Sequence, residues 1–310
     1  MPDRPAISVI IPTRDCLCFL PRAVASVGCA PELEIVVVDD GSTDGSRDWL
    51  AAEAQRDCRL RVLVGGGIGP AKSRNLAIGA ARGQLLAFLN ARDCWHPAKL
   101  IFQLRLHHAN PALAFSFSGS RKLDADENEL APGFAAWPCF SARHNARAAP
   151  FVLETDALAQ IYAEPVVVTS TVVARAELVR EVGGFDADLP GTAAWDLWLR
   201  LAARGRVGCV PAVLVDRCAP PEADRVSAMR GEVLGMHMIA ARHAAAAERL
   251  HPRAARTFAA RLLSADAELA AAADRRWRAA WLRLNAWRQM PTRGTTRAAA
   301  GALLHAMALA

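Results

Sequence analysis

With 310 residues, 53% of them hydrophobic and 22% charged, the chain can bury a sizeable core, which excludes an intrinsically disordered protein. The net charge of +6 is uneven: from Arg225 onward 14 Arg stand against five acids, leaving residues 1–224 slightly acidic and disfavouring nucleic acid as a partner. Eight cysteines without C-x-x-C spacing exclude a disulfide framework or a zinc site in a chain of this size, and predict reduced, mostly buried thiols.

Ile7–Ile11 and Leu33–Val38 are β-branched runs that read as buried parallel strands, with apolar residues at helical spacing from Phe19 to Val27 between them. Asp44 is placed to cap a helix over Ser46–Ala54, Arg61–Val64 is a third strand, Ala71–Ala81 a helix and Gln84–Leu89 a fourth strand. Repeated alternation of this kind predicts an α/β fold with a mostly parallel, Rossmann-like sheet and ligands beyond the strands' carboxyl ends. No G-x-G-x-x-G opens the first helix, so a dinucleotide oxidoreductase lacks its main support.

Further on, Ala114–Ser118 is strand-like, Leu123–Asn128 a polar turn and Phe134–Pro150 an irregular loop of a length that suits a functional role. Val166–Val173 reads as a strand, Glu177–Val182 as a short helix, Trp195–Ala203 as an amphipathic helix, and Val207–Val210 with Val213–Val215 close the sheet. Gly231–Ala247 and Arg253–Arg288 are helical by period and alanine content. The expected division is a domain over 5–218 and a basic Ala/Arg/Trp-rich helical tail over 225–310. None of the histidines looks like a metal ligand; His107 and His108 cannot share one helical face, and His237 and His243 lack carboxylate neighbours in the sequence.

Five segments occur in a telling order: Ser8 to Thr13, Val36 to Asp44, Ser73-Arg74-Asn75, Phe88 to Asp93 with Trp95 to Leu100, and Gly183 to Asp186 with Asp196 to Arg200. Together they resemble the inverting family 2 glycosyltransferases of the GT-A fold. The resemblance implies transfer of a sugar from a nucleotide-diphospho-sugar to a glycan or lipid-linked acceptor, in polysaccharide or cell-envelope glycan synthesis. It implies that Pro12 and Thr13 line the base pocket, that Asp40, with Asp39 beside it, reads the base, and that Arg74 holds the diphosphate. Arg14 either stacks on the base or lies in solvent. The Phe134–Pro150 loop is the expected place for the acceptor.

Where such proteins carry an Asp-x-Asp that holds a divalent cation, this chain has Asn90-Ala91-Arg92, followed by Asp93. A neutral amide and a cation disfavour Mn2+ or Mg2+ there, so no cofactor and no metal ligands are expected. Either Arg92 stands in for the metal or the site has eroded. The family's base, a Glu-Asp pair, aligns with Ala193 and Ala194, and Asp196 is a weak substitute that suits its helix N-terminus better. Asp124-Ala-Asp126 reads as a solvated hairpin tip. Catalysis therefore stays open against a second reading, a binding or scaffolding protein that kept the fold.

No stretch reaches the ~20 apolar residues that span a bilayer, and Met1–Pro5 lead into strand without a signal-peptide pattern, so a cytoplasmic protein is expected. The tail's Trp277, Trp281, Leu284 and Trp287 recur at helical spacing among arginines, which suits either packing on a protein surface or peripheral contact with the inner face of the membrane.

Overall fold

A computed structural model describes residues 5–29, 32–124, 128–131, 133–218 and 225–308. The chain divides into two units, one comprising the described residues of Met1–Ala157, Val166–Ala187 and Ala194–Ala219, the other those of Leu158–Pro165, Asp188–Ala193 and Pro220–Ala310.

The first unit is built on one sheet. In chain order its elements are β1 (Ile7–Thr13), α1 (Leu20–Ser26), β2 (Leu33–Asp39), α2 (Ser46–Arg56), β3 (Leu60–Val64), α3 (Pro70–Ala80), β4 (Leu85–Phe88), β5 (Cys94–Trp95) and α4 (Ala98–Ala109). There follow β6 (Leu113–Leu123), β7 (Glu129–Ala131), α5 (Pro138–His144), β8 (Phe151–Val152) and, after α6 (Ala157–Ala163), β9 (Val173–Arg175), α7 (Ala176–Glu181), α8 (Ala193–Ala202) and β10 (Arg206–Cys218). The strands run β3-β2-β1-β4-β9-β6-β10-β5, with β7 on β6 and β8 on β10. β1 pairs in parallel with β2 and β4, and β2 with β3; β9 is antiparallel to both β4 and β6. Because β1 and β2 are covered on both faces, their side chains are almost all buried, which is why they read as continuous apolar runs rather than alternating ones.

At the amino ends of these strands Glu34 is buried in β2. Its carboxylate accepts from Ser8 Oγ, the Arg82 amide, Arg82 Nε at 2.9 Å and Arg61 Nη1 at 3.1 Å. Ser8 Oγ in turn accepts from the Gly83 amide, and a Cβ on Gly83 would stand 2.5 Å from the Ser8 nitrogen. Burial alone would raise the Glu34 carboxyl; the bonds from Ser8, Arg82 and Arg61 outweigh it and hold the group below its ordinary value.

The second unit is helical: α6, α9 (Arg225–Leu250), α10 (Pro252–Ala272), α11 (Arg276–Gln289) and α12 (Arg293–Ala308). Tyr162 of α6 stacks on Phe258 of α10 with ring centroids 4.4 Å apart. Small residues let α10 and α11 approach closely around Ala267, Ala270, Ala279 and Leu282. Gly235 is needed where α9 meets the turn before α8, since a Cβ there would lie 2.3 Å from the Pro190 carbonyl oxygen.

Several expectations are corrected. Val166–Val173 is not one strand: a 3-10 turn over Thr169–Thr171 interrupts it, and pairing begins only at Val173. Phe134–Pro150 is not irregular; it holds a 3-10 turn over Gly133–Ala136 and α5, because Phe134 and Phe140 pack on Phe117 and give the segment a core of its own. The two closing strands are one, β10, whose register shifts around Val213. Arg253–Arg288 breaks into α10 and α11 at Asp274, which adopts φ 56. The helix α4 and the short β5 and β8 were not anticipated. All eight thiols are free, yet only Cys16 and Cys209 are buried; Cys18, Cys29 and Cys58 are exposed and Cys94, Cys139 and Cys218 half-buried. His237 does have a carboxylate neighbour, Asp266 at 3.2 Å, brought by α10 from 29 residues away. Asp124 accepts from the Asn128 amide at 2.8 Å, while Asp126 lies outside the described residues.

Candidate active site

The carboxyl ends of β2, β1 and β4 lie side by side. Pro12 is opposite Val38 and Thr13 opposite Asp39, while Ile10 is opposite Phe88 and accepts from the Leu89 amide at 3.0 Å. Pro12, Asp40 and Asn90 therefore leave one edge of the sheet together, as ligand sites of open α/β sheets do.

The two aspartates after β2 have different tasks. Asp39 is buried; it accepts from the Ser42 amide at 3.1 Å and from Arg47 Nε at 3.1 Å, so it closes the turn and anchors α2. Asp40 accepts from the amides of Gly67 (2.9 Å), Ile68 (2.8 Å) and Gly69 (2.8 Å), drawing the glycine-rich loop over the strand end. The approach is so close that a Cβ on Gly65 would sit 2.6 Å from Asp40 Oδ1. Arg14 is largely exposed beside Asp15, 3.8 Å away, and Thr13 Oγ1 is buried without a hydrogen-bond partner among the described residues.

Arg74, from the second turn of α3, donates to Asn90 Oδ1 at 2.8 Å and lies over the Phe185 ring, its centre 5.4 Å from the centroid. Its Nε is buried with no partner among the described residues. Burial lowers the guanidinium to about 10, against the pull of Asp93. Asn90 Nδ2 donates to Asp93 Oδ2 at 3.1 Å, Ser170 Oγ donates to the same oxygen, and the Asn90 amide donates to Ser170 Oγ at 3.0 Å. Burial pushes the Asp93 carboxyl up, opposed by Ser170, Asn90 and the nearby Arg217 guanidinium. Arg92 is held by stacking on Phe19, 4.8 Å from the ring centroid.

Arg217 is the residue that sequence reasoning missed. β10 runs antiparallel to β5 with Val215 opposite Trp95 and Asp216 opposite Cys94, a register that carries Arg217 to Asp93. Burial lowers Arg217 and Asp93 raises it, and its Nε too has no partner among the described residues. Nothing local in Asp216-Arg217-Cys218 signals this; only the pairing does.

Asp196 is not poised as a base. It is fully buried and accepts from Arg200 Nε at 2.6 Å, and Arg200 donates onward to the carbonyls of Val182 and Gly184. Asn75 grips the same turn through Phe185, donating to its oxygen at 2.7 Å and accepting from its amide at 2.8 Å. The Gly183–Asp186 and Asp196–Arg200 segments thus fix the wall against which Arg74 lies. Lys99, in the Trp95–Leu100 segment, turns inward, its Nζ 4.1 Å from the Trp95 ring centroid, and burial lowers it well below its ordinary value. A cavity of about 630 Å³ is lined by Trp95 together with, among others, Arg22, Cys94, His96, Arg121 and Asp216.

The sequence matches Glycosyl transferase family 2 over residues 8–153. The chain carries a family 2 glycosyltransferase domain. Over 130 residues it is 35% identical to TuaG of Bacillus subtilis (strain 168), a candidate teichuronic acid biosynthesis glycosyltransferase, covering 41% of this chain and 51% of that protein. Over 204 residues it is 30% identical to the O-antigen biosynthesis protein RfbC of Myxococcus xanthus, covering 64% of this chain and 14% of that one. The chain thus spans about half, or less, of these relatives. Among solved structures, the mannosyltransferase PcManGT from Pyrobaculum calidifontis, in complex with GDP-Man and Mn2+, superposes with a TM-score of 0.61 at 21% identity over 97% of this chain and 85% of that one. S. aureus TarS 1-349 in complex with UDP-GlcNAc gives 0.56 at 15% identity over 91% and 88%. The family 2 domain therefore has the GT-A fold expected from its motifs.

The fold's neighbour holds Mn2+, and the residues at the end of β4 are a poor fit to such an ion. A divalent cation calls for several oxygen ligands, commonly carboxylates. Here the Asn90 amide oxygen is taken by Arg74, Asp93 is shared by Ser170 and Asn90, and the neighbouring charges are guanidinium groups. Among the described residues no three His, Cys, Asp or Glu side chains group to hold a metal.

Proposed function

We propose that this family 2 domain binds a nucleotide-diphospho-sugar at the joined ends of β1, β2 and β4 and transfers its sugar, with inversion, to a glycan or lipid-linked acceptor of the cell envelope. The observation that carries the reading is the meeting of Asp40, Arg74, Asn90 and Asp93 at one sheet edge, with cationic groups where a diphosphate would lie. In the reaction an acceptor oxygen bonds to the anomeric carbon as the bond to the β-phosphate oxygen breaks; the electron pair leaves with the nucleotide diphosphate and the acceptor loses its proton. Thr13 and Pro12 flank the base, and Asp40, fixed by three amides, presents its remaining lone pairs to a base or ribose donor. The names of TuaG and RfbC support an envelope polysaccharide as product.

A specific observation favours a second reading. With Ala193 and Ala194 at the start of α8 and Asp196 bound to Arg200, the help of a general base, ~10² to 10⁴ in rate, has no evident source in α8. A chain that binds donor without turning it over would serve as a scaffold. Calorimetry with a panel of UDP- and GDP-sugars, followed by assay of nucleotide release in the presence of membrane-extracted glycolipid acceptors, separates the two. Binding with release supports transfer, binding without release supports the scaffold, and no binding sinks both.

Among the described residues no helix is long and apolar enough to cross a membrane. Trp277 and Trp281 are exposed on α11, and the sequence from Arg275 onward holds seven arginines and no acid, which supports contact of the tail with anionic headgroups. Flotation with vesicles of anionic lipid, but not with zwitterionic ones, is the expected result.

A further inference from the structure

We infer that the donor's diphosphate is held here by a ring of guanidinium groups in place of a divalent cation, and that Arg217 of β10 belongs to that ring. The inference rests on the donor site proposed above and goes beyond it by naming what neutralises the leaving group. Three arginines reach the end of β4 from three different elements. Arg74 comes from α3 and is tied to Asn90. Arg92 follows β4 and is fixed face-on to Phe19. Arg217 is carried in by the β5–β10 register. Asp93, bonded to Asn90, is the acid near two of them: its charge pulls both Arg74 and Arg217 up against burial, and Arg217 in turn opposes the rise of Asp93.

Their unspent bonding capacity points the same way. The Nε atoms of Arg74 and Arg217 are buried and lack partners among the described residues. Leaving a buried donor unmatched is costly, and such groups are kept where a ligand completes them. Stacking on Phe19 occupies the face of the Arg92 guanidinium and leaves its in-plane N–H groups for an oxygen ligand. Guanidinium forks match phosphate oxygens in geometry as well as charge. Arg74 and Arg217 beside the one buried acid, with Arg92 on the same turn after β4, leave a surplus of positive charge that repels a divalent cation and attracts a diphosphate. As the glycosidic bond breaks, the electron pair settles on the β-phosphate oxygen, and fixed guanidinium groups stabilise that charge without a proton transfer.

Calorimetric binding of UDP, GDP, UMP and GMP, each with excess EDTA and with Mn2+, tests this in the full chain. The better-bound diphosphate is expected to bind as tightly in EDTA as in Mn2+, and more tightly than its monophosphate. Arg217→Ala is expected to weaken the diphosphate about 10- to 100-fold, as for loss of a charge-assisted bond, while leaving the monophosphate nearly unchanged. Arg217→Lys is expected to recover part of the loss, and thermal melts show whether each variant is folded. Diphosphate binding that requires Mn2+, or an Arg217→Ala effect equal on mono- and diphosphate in a folded variant, overturns the guanidinium ring and leaves the donor site standing. No binding of any nucleotide by the wild-type chain overturns both.

Discussion

At the amino ends of β1 and β2 every oxygen of Glu34 is spoken for by Ser8, Arg61, Arg82 and the backbone, whereas at the carboxyl ends Thr13, Ser73, Arg74 and Arg217 all keep buried polar atoms without partners among the described residues. The arginines show the contrast best. At the amino end Arg180 donates to the carbonyls of Ile78 and Ala81, and Arg175 to those of Leu113 and Pro111, so they cap backbone. At the carboxyl end Arg74 and Arg217 reach Asn90 and Asp93 with capacity to spare. A saturated network stabilises the fold; an unsaturated one stores the cost of desolvation until a ligand arrives.

The largest effect that would break this comparison is on stability. Glu34→Ala leaves the Ser8 hydroxyl and the Arg82 amide without their acceptor in a buried place, and is expected to cost about 3 kcal/mol, the lower end for breaking a buried pair because Arg82 remains half in solvent. Urea denaturation measures it. A loss below about 1 kcal/mol would show that the network is dispensable.

Arg74→Leu reverses the pattern. It removes a half-buried charge and keeps a side chain to lie on Phe185, so stability is expected to hold or rise slightly while affinity for a nucleotide diphosphate falls about 10- to 100-fold. If the variant instead loses stability while its affinity for the diphosphate is unchanged, Arg74 is a structural residue like Arg180.

Asp196 tests whether the wall behind Arg74 belongs to the saturated class. Asp196→Asn keeps an acceptor for Arg200 and removes the charge, with an expected cost of about 1 to 2 kcal/mol. If turnover is found, its pH profile should be unchanged in this variant. A fall in kcat of ~10² or more at constant stability would make Asp196 the base after all.

How much of this was legible depended on the range of the interactions. The run Ile7–Ile11, the turn at Asp39 and Asp40, and the meeting of Pro12, Asp40 and Asn90 follow from local pattern and from neighbouring parallel strands. Arg217 did not, because it reaches Asp93 through the pairing of β10 with a strand of two residues more than a hundred positions earlier. The division of labour between Asp39 and Asp40 was equally hidden: side by side in sequence, they point to Arg47 and to the glycine loop by alternation at the strand end. Lys99 carries a charge that sequence reading puts in solvent, and only the packing of α4 over Trp95 buries it.

The smallest effect separates the two edges by the sign of their response to pH. Glu34 has a folded-state value below its unfolded one, so its stabilisation is present above about pH 4.3, the ordinary glutamate value, and is lost as pH falls through the lower folded value. Asp93 is shifted the other way: its folded value lies above its unfolded one, so the ionised group destabilises the fold at neutral pH and the penalty fades as pH falls and the carboxyl takes up a proton. Asp93→Asn is therefore expected to stabilise the chain by under about 1 kcal/mol at pH 7, since Asn keeps an acceptor for Ser170, with the gain shrinking toward pH 4. Glu34→Gln should show the opposite trend, its deficit greatest at pH 7. Denaturation of both variants at a series of pH values reads the two slopes. Equal slopes would mean that Asp93 is as well satisfied as Glu34 and that the carboxyl edge holds no reserve for a ligand.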